Sequence, residues 1–133
     1  MAVLNAAGGA TTLLRRATTY DGVLLTLFGA DLLIFAGPLA ALTGLSAPVL
    51  LAAGAIFLVE GIVYLMLLRR DERLRPVGQA MLMTNLAGVL LIPVLLTTGW
   101  LPLTPLGIAA LVGVALLCVG FGAAQWAGLR RLG

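Results

Sequence analysis

The chain has 133 residues, 62% hydrophobic and 10% charged, with a net charge of +3 and a mean hydropathy of +1.15. Soluble domains run at roughly 45–50% apolar and 25% charged, so a soluble fold would lack polar side chains to cover its surface and the bilayer is the expected solvent. Histidine is absent and Cys118 is the single cysteine, which excludes an internal disulfide, a CxxC redox pair and the common haem, zinc and copper ligands. No cofactor, no metal centre and no enzymatic activity is therefore expected.

Residues 1–20 are rich in Ala, Gly and Thr, with Arg15 and Arg16 after the first short apolar stretch instead of before it. That order does not fit a signal peptide, and the segment is expected to be cytoplasmic or interfacial. Residues 21–133 then form a single transmembrane domain. A spanning helix needs about 20 mostly apolar residues. Four segments meet this: Val23–Leu42, Ala47–Leu68, Val77–Leu96 and Leu106–Trp126. The first pair is joined by the uncharged turn Thr43-Gly44-Leu45-Ser46, the second by 99–105, also uncharged. Connections this short make neighbours antiparallel, so the expected fold is all-α: an integral membrane four-helix bundle, up-down-up-down.

All eight basic residues flank the same ends of these spans. Arg15 and Arg16 precede the first, Arg69, Arg70, Arg73 and Arg75 lie between the second and third, and Arg130 and Arg131 follow the fourth. The positive-inside rule makes them topology anchors and puts both termini in the cytoplasm (N-in/C-in). Trp100 and Trp126 mark opposite interfaces. No aromatic residues alternate with the arginines, so nucleic acid is not an expected partner; lipid, other membrane subunits or a second copy are.

Pro38 and Pro93 each stand five residues before a Thr-Gly pair, and Gly61 and Gly122 precede matching Arg-Arg endings, the pattern of a 2+2 parallel repeat. Each proline is expected to kink the outer half of its helix. Gly78, Met81, Asn85 and Gly88 form one stripe of the third span, and Ala109, Gly113, Gly120 and Ala124 give the fourth a small-residue packing face.

The candidate site lies among the polar residues within the spans. Asp31, Glu60 and Asn85 each stand eight positions from the basic end of their helix, about 12 Å deep. Because an Asp at mid-helix costs about 2.5–3.5 kcal/mol to insert, the three are expected to face inward and bond one another, with Tyr64 one turn from Glu60. No cation lies in any span, so Asp31 and Glu60 are expected to form a buried carboxylate pair holding at least one proton. Met66, Met81, Met83 and Cys118 are expected to be packing residues.

A Gly-Leu turn after the first span, an Asn early in the third and the ending Gln125-Trp126-Ala127-Gly128-Leu129-Arg130-Arg131 resemble small bacterial four-helix inner-membrane proteins of unknown function. Size, helix count and an embedded acid also resemble small multidrug-resistance transporters, but the acidic motif of their first helix is absent and none of their residues carries over. Two functions stand open. One is an accessory or assembly subunit of a larger membrane complex, implied by tiny loops and long apolar faces. The other is a small oligomeric proton- or cation-coupled transporter using the Asp31/Glu60 pair.

Overall fold

The computed structural model describes residues 2–133, with side chains described for Gly9 and from Thr11 onward. The helices are α1 (Ala2–Ile34), α2 (Ala36–Thr43), α3 (Ala47–Leu67), α4 (Leu74–Thr98) and α5 (Pro105–Leu132), with a short 3₁₀ turn at Asp71–Arg73. Four of them are long and apolar enough to cross a membrane: 11–34 of α1, all of α3, 71–98 around α4, and α5. The chain is therefore an all-helical bundle compatible with a multi-pass membrane protein.

The first span sits earlier than expected. Val23–Leu42 was the expected helix, but α1 runs unbroken from Ala2 to Ile34, so the polar stretch before Val23 is continuous with the span. The helix stops at Phe35, whose φ of −110° and ψ of 23° leave the helical region, and α2 takes over. Pro38 explains the position of the break: it has no N–H to give the carbonyl of Ile34 four residues back, and its ring crowds that carbonyl. Pro93 does not interrupt α4, which continues to Thr98. Gly44 closes α2 at φ 83°, a left-handed turn only glycine enters easily, and its N–H returns to the carbonyl of Ala40. Ser46 and Thr104 then cap α3 and α5, accepting from the N–H groups of Val49 and Gly107.

Successive long helices are antiparallel. α1 packs most extensively on α3 and also on α5, and α5 on α4, whereas α3 and α4 touch only lightly. The α1–α3 seam is made by glycines. A Cβ on Gly29 would run into the backbone of Leu58 and Gly54, one on Gly54 into the carbonyl of Gly29, and one on Gly61 into Thr26 and the carbonyl of Gly22. Gly22/Gly29 and Gly54/Gly61 are each seven apart, two helical turns, so each pair lies on one face. In lipid there is no hydrophobic gain from pairing helices, and close backbone approach supplies dispersion contacts instead. Thr26 sits in this seam because its hydroxyl donates to the carbonyl of Gly22 at 2.7 Å, and Thr18 does the same to Leu14 at 2.8 Å.

Along α5 the expected small-residue face is not the one used. A Cβ on Gly113 or Gly120 would meet nothing, whereas Gly107, Gly122 and Gly128 are buried, against Thr43, Asn85 and Leu14. The α4 stripe holds: Gly78, Met81 and Asn85 are buried, and Gly88 faces Cys118. Cys118 itself is half-buried.

Two apolar clusters flank the middle of the bundle. Leu14, Leu68, Leu74, Val77 and Met81 gather at the arginine-bearing end, and Leu32, Ala36 and Leu50 at the other. The connections lock each end. Arg15 donates to the carbonyl of Leu68 at 3.0 Å and pairs with Asp71 at 2.5 Å, and Arg75 reaches the carbonyl of Gly133 at 2.6 Å. At the opposite end the N–H of Thr104 donates to Thr43 O at 3.0 Å and its hydroxyl to Leu42 O at 2.5 Å. The Asp71 carboxylate is 96% exposed, where solvent screening leaves an ion pair about 0–1 kcal/mol. Asp71→Asn is thus expected to leave thermal unfolding unchanged within error. Arg15→Ala is expected to lower the midpoint measurably, because the carbonyl of Leu68 loses its donor as well.

Candidate functional site: an interhelical polar layer

Between the two apolar clusters the long helices bring their polar side chains together. Asn85 of α4 donates through Nδ2 to Asp21 Oδ2 of α1 at 2.8 Å and to Gln125 Oε1 of α5 at 3.0 Å. Gln125 closes the triangle by donating from Nε2 to the same Asp21 oxygen at 2.7 Å. Gln125 is fully buried and Asn85 is 7% exposed, while Asp21 is half-buried. Two amide donors converge on one carboxyl oxygen, whose two lone pairs accept both. No buried side-chain polar atom among the described residues lacks a partner.

Glu60 and Tyr64 of α3 lie beside this triangle. The Thr84 hydroxyl of α4 donates to Glu60 Oε1 at 3.0 Å, bridging the two helices that otherwise barely meet, and the Tyr64 phenol lies beside Glu60 and Thr84. The layer thus draws on α1, α3, α4 and α5. It sits toward the arginine-bearing end: Asp21 follows Arg15 by six residues and Gln125 precedes Arg130 by five, about 8–9 Å of helix.

Three of the four expected residues, Glu60, Tyr64 and Asn85, are in this layer. Asp31 is not. It is exposed on the outside of α1, and its side chain makes no hydrogen bond or ion pair among the described residues. Gly54 packs against Gly29, Leu32 and Leu33, which puts Asp31 level with Gly54, whereas Glu60 lies six residues nearer the arginine end, about 9 Å along the axis. The expected buried Asp31/Glu60 pair is therefore corrected. Asp31 points outward, Glu60 is half-buried, and the carboxylate beside Glu60 is Asp21. The error came from starting the first helix at Val23, which left Asp21 outside the span and made Asp31 seem level with Glu60 and Asn85. Gln125 was not among the expected site residues; its position on the α5 face that also carries Gly122 and Gly128, at three-residue spacing, is the signal that it points inward.

As an arrangement the layer pins helix register. The three bonds of the Asp21–Asn85–Gln125 triangle each join side chains on different helices, so sliding α1, α4 or α5 by a residue would break two of them at once. Among the described residues no group of three or more acidic or cysteine side chains is placed to hold a metal ion. Comparison with protein-family models, curated proteins and solved structures finds no match to this chain.

Proposed function

We propose that this chain is a small, non-enzymatic protein of the bacterial inner membrane, with both termini cytoplasmic, that serves as an accessory or assembly subunit of a larger membrane complex. The observation that carries the reading is Asp31. A carboxylate within a spanning helix ordinarily faces the bundle interior or a cavity, since exposing it to lipid costs about 2.5–3.5 kcal/mol on insertion scales. Asp31 faces outward without a partner among the described residues, level with Gly54, which lies seven residues inside α3, about 10 Å from that helix end. A donor on a neighbouring membrane helix would remove that cost. The interior has already satisfied its own polar groups in the Asp21 layer, which leaves the outer face as the place where this bundle meets something else. The gathering of Arg15, Arg75 and the C-terminus at one end supports the cytoplasmic assignment of that end.

The test is native mass spectrometry after gentle extraction from the source membrane. Wild type is expected to run with a heterologous membrane assembly, and Asp31→Leu is expected to run free of it while remaining helical and at least as stable as wild type. Recovery of both proteins as the same small homo-oligomer overturns the reading, and pH-dependent stability of that oligomer would favour ion-coupled transport instead.

A further inference from the structure

On the outer surface a groove of about 420 Å³ runs between α1 and α5. Its walls are apolar, with Leu13 and Ala17 on one side and Leu117 and Phe121 on the other, and it extends for eight or nine residues of each helix, about 12 Å. Two polar side chains stand on its α1 wall, Arg16 and Tyr20. Arg15 is committed to Leu68 and Asp71, but no hydrogen bond or ion pair holds Arg16 among the described residues. The groove does not stop at Arg16. Leu117, Gly120, Ala124, Ala127 and Arg131 recur at three- and four-residue spacing on one face of α5, and beyond Ala124 this face enters a second depression of about 360 Å³ lined by Trp126, Ala127, Arg130 and Arg131. There the Arg130 guanidinium lies 5.8 Å from the centre of the Trp126 ring, which helps to hold it in place.

An apolar trough leading into a cluster of arginines has the chemistry of an amphiphile with an anionic head. We propose that this groove binds one anionic phospholipid, its acyl chain along Leu117 and Phe121 and its phosphate against Arg16 and the Arg130–Arg131 depression. Basic pockets between membrane helices take acidic headgroups in this way, each arginine adding attraction that salt weakens. The site rests on the reading of the arginine-bearing end as the membrane surface, and is independent of whether Asp31 has a partner.

The full chain is reconstituted in phosphatidylcholine nanodiscs containing a minority of phosphatidylglycerol, and lipids retained after ejection are identified by native mass spectrometry. Wild type is expected to keep phosphatidylglycerol in preference to phosphatidylcholine. Arg16→Gln, at an exposed position, is expected to reduce that preference about fivefold. Gly120→Phe fills the trough where a Cβ meets open space, and is expected to fold with unchanged helicity but to lose the bound lipid of either kind. Asp31→Leu is expected to retain it, so failure of this site and failure of the subunit reading are distinguishable. Equal retention of the two lipids by wild type, or undiminished retention by Gly120→Phe, overturns the proposal. So does inorganic phosphate competing as well as the lipid, because the trough would then contribute nothing.

Discussion

Gly29→Ala is expected to destabilise the bundle strongly through the α1–α3 seam. The added Cβ would lie 2.8 Å from the carbonyl oxygen of Gly54 and 2.9 Å from the Cα of Leu58, with the Leu58 backbone nitrogen closer still. All three are backbone atoms of α3, so no side chain can turn away, and α1 and α3 must separate along their whole seam. Overpacking typically costs 1–3 kcal/mol; here about 3 kcal/mol is expected, despite the better helix propensity of alanine. Gly113→Ala, where a Cβ meets open space, is the control and is expected to raise stability by about 0.5–1 kcal/mol. Equilibrium unfolding in mixed micelles reads both. Equal stability of the two variants would mean that α1 and α3 do not approach at Gly29.

The second large effect is expected at Asp21. Asp21→Leu removes the acceptor of two interhelical hydrogen bonds and strands the Nε2 of fully buried Gln125 together with one N–H of Asn85. Leaving a buried donor unpaired costs about 1–3 kcal/mol, so a loss of about 2–3 kcal/mol is expected. That exceeds the average of about 0.6 kcal/mol for an interhelical hydrogen bond in a membrane, because the partners stay behind without one. Asp21→Asn keeps a carbonyl oxygen in place and is expected to recover more than half of the loss. A double-mutant cycle with Asn85→Leu should show coupling, since the two side chains share one network. The same unfolding assay on Asp31→Leu is expected to show no loss, because none of the described residues bonds that carboxylate. If Asp21→Leu is neutral and Asp31→Leu damaging, the outward and inward assignments of the two acids are reversed.

How far the site could be read without coordinates follows from these two acids. Asn85 and Tyr64 were legible from depth and face. Glu60 was legible as a polar residue that needed cover, and Thr84 and Tyr64 supply it. Asp21 was hidden by a boundary. The run Ala17-Thr18-Thr19-Tyr20-Asp21 is polar in composition, yet Thr18 returns its hydroxyl to Leu14 and Asp21 accepts from two amides, so neither presents an unmet polar group to lipid. Hydropathy counts each residue in isolation and cannot know which ones are already paired.

The seven-residue spacing of Gly22/Gly29 and Gly54/Gly61 was likewise present in the sequence, but so was the Gly113/Gly120 pair at the same spacing, which packs against nothing. Only the neighbour across the seam separates a contact from a bare face.

Length, hydropathy and the loop arginines by themselves determined that this protein is a bundle of four long helices, and the short uncharged turns made successive helices antiparallel. These features are local: they depend on how many apolar residues run together and how short the connection between two runs is. The tertiary structure alone decided that Pro38 breaks its helix while Pro93 does not, that α1 lies against both α3 and α5, and that Asp21 turns inward while Asp31 turns out. In lipid both faces of a spanning helix are apolar, so hydrophobic periodicity does not say which one is buried. The choice falls to the close fit of glycine backbones and to hydrogen bonds between side chains more than sixty residues apart, such as Asp21 and Asn85.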